Sequence, residues 1–423
     1  MPLGMWEKAT PGARWSSPSE PSPGRCLGLV GHGSAPLTVP GPELGPGIWA
    51  QFEDRYGRPP TTVVRSPGRV NLIGDHTDYN EGWVMPLAID RYLWLAADQR
   101  KDRMVVATST AFNDPIELDL DRPVKSGPLW GEYLRGVFWA SGYSGPGLVI
   151  LIDGDLPDGA GLSSSAALEL AVARAVSDVS ASAWDPTNAA LLSQRAEVEW
   201  VGNECGIMDQ LVIARAEPGE LLLIDCRTLD SRGIRVPQGV RVVVFDTRTP
   251  RTLATSAYND RRRACERAAK AYGVPALRDL AEDQVATAAP GLSEDDWRRA
   301  LHVVAENARV VAAAAALENG DLDEVGRLML ESHHSLRDLY EVSTPELDLM
   351  ASLASSMEGC HGARMTGAGF GGSVVALLDE DRVSRAVAEV LRRYKEATGI
   401  EPTSHVCAAV GGTELVPFEP VPT

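Results

Sequence analysis

A chain of 423 residues, 44% hydrophobic and 23% charged, has the make-up of an ordinary globular protein long enough for two or three domains. Its formal net charge of −18 argues against a nucleic-acid partner, since a phosphate backbone requires a basic stripe. No apolar run approaches the ~20 residues that span a bilayer and no basic-then-apolar leader opens the chain, so no membrane partner is expected and the cytoplasm is the expected compartment.

Residues 1–44 are rich in Pro, Gly and Ser and lack helical or strand periodicity; such a segment buries too little to offset chain entropy, which predicts a disordered extension. Order is expected to begin with a helix over 48–56, stopped by Gly57 and Pro59-Pro60. A strand over 62–65 follows, then Ser66-Pro67-Gly68 and a polar, motif-dense segment. Stretches rich in β-formers at 93–97 and 104–108 suggest an antiparallel sheet. A helix over 130–139 and a strand over 148–152 lead into a Gly/Ser loop, which opens into a helix over 165–176. A helix over 188–201 and strands over 220–224 and 240–245 come next.

The second half is more helical. Ser293 and Asp296 form a capping box for a long helix that Gly320 and Asp321 end. A helix over 325–336, a strand–loop–strand unit over 362–378, a helix over 383–394 and a strand over 404–410 complete the chain. This mixture predicts an α+β protein of two lobes. The six cysteines are scattered without a C-x-x-C pair and read as reduced small hydrophobes. His333-His334 is expected as a pair on a helix surface, not a metal site.

Three segments carry candidate chemistry. Gly159-Ala160-Gly161-Leu162-Ser163-Ser164-Ser165-Ala166 joins a strand to a helix. Its glycines let backbone amides approach a polyanion, and the helix adds free N–H groups and the positive end of its dipole. A tight turn with a serine-capped helix would look the same, though one serine suffices for a cap. No G-x-x-x-x-G-K-[ST] occurs, which excludes a P-loop. Gly68-Arg69-Val70-Asn71-Leu72-Ile73-Gly74-Asp75-His76-Thr77-Asp78-Tyr79-Asn80 supplies a guanidinium fork and a dense set of donors and acceptors, suited to a polyhydroxylated ligand or to a polar turn. Met365-Thr366-Gly367-Ala368-Gly369-Phe370-Gly371-Gly372-Ser373 is either a flexible hairpin or a second loop over the nucleotide, supporting the first by backbone contact. Asp209 stands alone in an apolar run, as a hydrogen-bond hub or as a catalytic group.

In chain order, the motifs at 68–80, 159–166 and Arg364–Gly372 resemble those of the galactokinases of the GHMP small-molecule kinase superfamily, over roughly residues 48–411. Residues 159–166 and 364–372 carry the superfamily-wide part of that pattern; residues 68–80 carry the part specific to the galactokinase branch. The resemblance implies a two-lobed GHMP fold with mixed and antiparallel sheets and the active site between the lobes. It divides the chain into an N-terminal sugar- and ATP-binding domain over 45–240 and a C-terminal domain over 241–423. It implies transfer of the γ-phosphoryl of ATP to the anomeric hydroxyl of galactose, with Mg²⁺, by a monomer. By the same resemblance Asp209 sits beside that hydroxyl as base or orienting charge, with Arg69 next to it. Asp75, His76, Asp78, Gly206 and Tyr258 match sugar contacts, with Asp75 and His76 near the 6-hydroxyl. Residues 159–166 hold the phosphates and Trp130 stacks on adenine, with Tyr133 one turn on. Ser165 and Glu197 match the Mg²⁺ environment. Position 75 is Asp where most galactokinases carry Glu, which shortens the carboxylate's reach by one methylene. Alternatives on this fold are another GHMP sugar 1-kinase and a non-catalytic galactose- and ATP-binding sensor, against which the serines at 163–165 and Asp209 argue.

Overall fold

β-Branched and aliphatic runs with buried faces build three sheets, and Ala/Leu-rich stretches build the helices that cover them. The computed structural model describes residues 45–157, 160–249 and 254–417; the 1–44 extension and Gly159 lie outside the described residues. The first part comprises α1 (Gly45–Tyr56), β1 (Thr62–Asn71), β2 (Trp83–Val84), β3 (Pro86–Gln99), β4 (Met104–Ser109), β5 (Ile116–Asp119), α2 (Leu129–Ser141), β6 (Leu148–Gly154), α3 (Ser164–Val179) and α4 (Pro186–Arg195). A π-helical segment, Ala196–Val201, continues α4 and precedes α5 (Met208–Arg215), β7 (Glu220–Asp225), β8 (Ser231–Arg235) and β9 (Val240–Asp246). Then come α6 (Ala254–Tyr272), α7 (Glu282–Val285), α8 (Glu294–Asn319), α9 (Leu322–Asp338) and α10 (Pro345–Ser355). The chain closes with β10 (Cys360–Thr366), β11 (Ser373–Asp379), α11 (Val383–Thr398), β12 (Thr403–Cys407) and β13 (Glu414–Leu415).

The largest sheet has the order β13-β1-β3-β6-β4-β5, the second β10-β11-β9-β12 and the third β2-β7-β8. All pairings are antiparallel except β4 with β6, so the fold is α+β with mixed and antiparallel sheets. The stretch at 104–108 therefore does not pair with that at 93–97: β6 lies between them, running parallel to β4. Leu95, Val105 and Ile150 of the large sheet pack on Leu134 and Val137 of α2 and Leu168 and Val172 of α3. Val70 and Leu87 of the same sheet, with Leu72 just after β1, meet Val242, Val244 and Val375 of the second sheet across Val310 and Leu317 of α8. Each such fully buried side chain contributes ~1.5–3 kcal/mol, so strand β1, which carries Arg69, is held firmly.

Several local expectations change. The strand expected over 62–65 runs on to Asn71, past a bulge between Pro67 and Gly68. Pro67 has no N–H to give the ladder, and the bulge accommodates it. The helix expected over 188–201 becomes α4 plus the π-helical turns, a form common beside functional residues. Ser293 caps α8 by accepting from the Asp296 amide, but the Asp296 carboxylate turns to Arg267 (2.6 and 2.8 Å) instead of closing the box. His333 is buried and accepts from the Met365 amide (3.2 Å), so only His334 of the pair is on the surface. The described cysteines are all free.

Candidate active site

The loop after β6 passes directly behind β1. The Leu162 carbonyl accepts from the Arg69 amide (3.1 Å). This approach is why residue 68 has no side chain: a Cβ there would lie 2.9 Å from that carbonyl and 2.4 Å from Leu156 Cδ1. Arg69, next on the strand, donates from Nε and Nη2 to Asp209 Oδ1 and Oδ2 (2.6 Å each) and from Nη1 to the Gly161 carbonyl (2.5 Å). The Ser163 hydroxyl also donates to Asp209 Oδ2, from a residue held in the left-handed region at φ 60°. A fork-to-carboxylate pair of this kind is charge-assisted and geometrically fixed. Arg69 is 7% exposed and Asp209, in the first turn of α5, 27%, so the carboxylate is the partner that faces outward. What it faces is a cavity of about 590 Å³.

One wall of that cavity comes from the segment after β1. Asp78 makes no ion pair among the described residues, and burial, with Asp209 nearby, pushes its carboxyl up to about 7. Gly206 packs its Cα against this carboxylate; a Cβ would fall 2.0 Å from Asp78 Oδ2. His76 is buried at φ 66°, and its Nε2 has no hydrogen-bond partner among the described residues. Tyr258 of α6 completes the wall, with its ring 5.5 Å from that of His76. Asp75 lines the cavity too, but both its oxygens are engaged. Oδ2 accepts from Arg364 Nη2 (2.6 Å), and Oδ1 from Asn71 Nδ2 (3.1 Å) and the Gly367 amide (3.2 Å).

The opposite end holds the N-terminus of α3. Of the expected phosphate loop, Gly161, Leu162, Ser163, Ser164 and Ser165 line the cavity. Ala160 and Ala166 are buried behind it, and the Ala160 carbonyl accepts from Ser373 Oγ (2.7 Å). Free amides and the dipole of α3 thus point to where an anion would sit. Trp130 and Tyr133 of α2 also line this end, and Trp130 stacks on Phe112 with ring centroids 5.5 Å apart.

Glu197, on the π-helical turns, reaches the cavity with Oε1 accepting from Asn203 Nδ2 and Oε2 from Gln210 Nε2 (2.7 Å each). Burial pushes this carboxyl up to about 7, against the Asn203 hydrogen bond, and it pairs with no cationic side chain among the described residues. Glu197, a carboxylate short of positive charge, and Ser165 line the same cavity, and hard oxygens of this kind fit Mg²⁺. No described group of three or more His, Cys, Asp or Glu forms a metal cage by itself.

Sequence reasoning passed over Glu169 and gave Arg364 and Gln210, which stand inside its motifs, no role of their own. Gln210 Nε2 also donates to Glu169 (3.2 Å), a fully buried carboxyl pushed well up by burial. Glu169 lies one turn after Ser165 on α3, and an acidic residue inside an Ala/Leu run was a readable signal. Arg364 carried no such local signal, since its partner lies 289 residues away. The third glycine segment braces the other two: Thr366 Oγ1 donates to the Asn71 carbonyl (2.8 Å), and Gly367 and Ser373 make the bonds to Asp75 and Ala160 given above.

The chain matches known protein families. Residues 50–99 match the galactokinase galactose-binding signature, 132–217 the GHMP kinases N-terminal domain and 313–396 the GHMP kinases C-terminal family. The chain is 46% identical over 374 residues to a galactokinase of Roseiflexus sp. (strain RS-1), covering 86% of this chain and 96% of that one. It is 46% identical to a galactokinase of Chloroflexus aggregans, over 87% and 97% of the two chains. The crystal structure of Lactococcus lactis galactokinase complexed with galactose superposes with a TM-score of 0.84 at 34% identity, over 87% of this chain and 99% of that one. Methanococcus jannaschii mevalonate kinase shares the fold at 17% identity and a TM-score of 0.59.

Proposed function

This chain belongs to the galactokinase family, and from that premise we propose that it transfers the γ-phosphoryl of ATP to the anomeric hydroxyl of galactose, giving galactose 1-phosphate and ADP. The observation that carries the reading is the Arg69–Asp209 pair, set between the N-terminus of α3 and the wall of Asp78, His76, Gly206 and Tyr258. The anomeric oxygen bonds to the γ-phosphorus as the bridging P–O bond breaks and ADP leaves with its electrons. Phosphoryl transfer of this kind is mostly positioning and electrostatics. Asp209 orients the hydroxyl and receives or passes on its proton. Arg69 balances the carboxylate and, being fixed before substrate arrives, stabilises charge on the transferring group without reorganisation.

Asp78 accepts from sugar hydroxyls, which relieves a carboxylate that has no cation of its own. His76, Gly206 and Tyr258 complete the sugar contacts. Asp75 acts chiefly as a brace between the sugar segment and the loop at Gly367, so its shorter reach relative to Glu matters less than its bond to Arg364. Amides and hydroxyls of residues 161–165 hold the phosphates, and adenine lies against Trp130. Ser165 and Glu197 would hold Mg²⁺, which when bound would supply positive charge to offset that of the phosphates.

The enzyme works in the cytoplasm as a monomer of two domains divided near residue 240, without a nucleic-acid or membrane partner. The one described helix long and apolar enough in composition to cross a membrane, Glu294–Asn319, has 56% of its apolar 18-residue window buried in the protein. An ADP-release assay with galactose, glucose and N-acetylgalactosamine tests the assignment: turnover is expected with galactose far above the other two. Equal turnover with all three would refute the assignment of substrate.

A further inference from the structure

One ring nitrogen of His76 is committed to the protein and the other to the cavity. Nδ1 lies 2.8 Å from the Tyr79 hydroxyl, which lies 2.6 Å from that of Tyr340, which in turn lies 3.2 Å from Cys265 Sγ. Tyr340 is fully buried, and Asn80 Nδ2 donates to the His76 carbonyl (2.9 Å), holding that left-handed residue in place. Nε2 is buried on the cavity wall with no hydrogen-bond partner among the described residues. A neutral imidazole carries one N–H, so the direction of the Tyr79 bond decides what Nε2 offers.

That direction follows from acceptor strength. An imidazole nitrogen accepts far better than a phenol oxygen, so Tyr79 donates to Nδ1 and accepts from Tyr340, whose oxygen accepts from the Cys265 thiol. The reverse order would give the strongest acceptor in the row a proton and end on sulfur, a weak acceptor. Burial, with His302, Arg261 and Arg364 nearby, lowers the His76 basicity well below the usual range and keeps the ring neutral. The Ala368 backbone, on the same cavity wall, is close enough to act the other way and favour a ring proton, although Nε2 makes no hydrogen bond of ordinary length and angle to it.

We propose that Tyr79, backed by Tyr340, is a positioning residue that fixes neutral His76 with its proton on Nε2, so that His76 presents a hydrogen-bond donor to a hydroxyl oxygen of the sugar. With the Asp78 carboxylate as acceptor on the same wall, the site offers one donor and one acceptor, the complement of hydroxyl groups that both give and receive. The inference rests on the reading of this wall as the galactose site.

The test uses the full chain labelled with ¹⁵N-histidine, its seven histidines resolved by two-bond ¹H–¹⁵N correlation and His76 assigned by its loss in His76→Gln. The wild type is expected to show the Nε2–H pattern at His76. Tyr79→Phe should shift that pattern toward a mixture and raise KM for galactose about 10-fold, with kcat and KM for ATP within about 2-fold, as loss of one hydrogen bond implies. Tyr340→Phe, which keeps the Tyr79 hydroxyl, should move both readouts the same way by a smaller factor. An Nδ1–H pattern in the wild type would overturn the proposal even if no variant folds, as would an unchanged pattern in Tyr79→Phe. The spectrum of the free protein needs no turnover, so failure of galactose phosphorylation would refute the galactokinase reading separately.

Discussion

Replacing Asp75 by Asn exchanges one carboxylate oxygen for an NH₂ group and leaves the shape of the side chain unchanged. Oδ1 can still accept from Asn71 and Gly367, so the NH₂ takes the place of Oδ2 and meets the Arg364 guanidinium donor to donor. Arg364 is 0% exposed and Asp75 2%, so neither water nor rotation relieves the clash. Charge centres ~4 Å apart at an effective dielectric of ~20 attract by about 4 kcal/mol, against a burial cost that leaves the Asp75 carboxyl raised in spite of Arg364. Breaking a buried pair by removing one partner costs about 3–5 kcal/mol, a large part of a typical folding stability of about 5–15 kcal/mol. Urea unfolding of Asp75→Asn should show that loss as a lower midpoint with an unchanged slope. The double variant Asp75→Asn/Arg364→Met removes both charges and should recover ~2–3 kcal/mol relative to the sum of the single variants. A single-variant loss below about 1 kcal/mol, or strict additivity, would refute the brace between the sugar segment and the glycine loop.

Three further outcomes are expected. Because Asp78 is raised to about 7, it is protonated as pH falls below neutrality; galactose, which donates to its ionised form, should then bind worse. KM for galactose should rise as pH drops through about 7, and Asp78→Asn should remove that rise along with most of the affinity; a flat wild-type profile contradicts the assignment. Gly206→Ala places a methyl on the Asp78 carboxylate and should raise KM for galactose at least about 10-fold while sparing KM for ATP; equal changes in both would point to general disruption. Glu306, fully buried, accepts from Arg309 Nε (2.7 Å), Ser332 Oγ (2.6 Å) and the Gly74 amide (3.0 Å) and is held down at about 2. A carboxyl lowered from 4.5 to about 2 gives stability that is present above its unfolded value and lost as pH falls from about 4.5 through about 2. Glu306→Gln should therefore cost ~3 kcal/mol at neutral pH and remove that acid-side slope in denaturation midpoints.

What the sequence disclosed were features with local causes. Gly320 at φ 73° ends α8, Ser293 begins it, and the serines at 163–165 mark the entry to α3. The three glycine-bearing motifs were visible as motifs, and the cavity brings them together. What stayed hidden depends on distant partners. Nothing near 104–109 says that its neighbour is the parallel strand 148–154 instead of 93–97. Tyr79 looks like one more polar residue until Tyr340, 261 residues on, is placed against it. Asp75 reads as a ligand-binding carboxylate until the buried Arg364 occupies one of its oxygens. The π-helical turns that aim Glu197 have no composition of their own, since they differ from an α-helix only in which carbonyl each amide meets.

The central claim is that the Arg69–Asp209 pair performs phosphoryl transfer to galactose. The most direct test is kcat for galactose phosphorylation by Asp209→Ala, with galactose binding measured alongside by calorimetry. The account predicts a fall in kcat of about 10³-fold or more, on the scale of losing a preorganised charge at the reacting centre, with galactose still bound. Turnover within about 10-fold of wild type would contradict it.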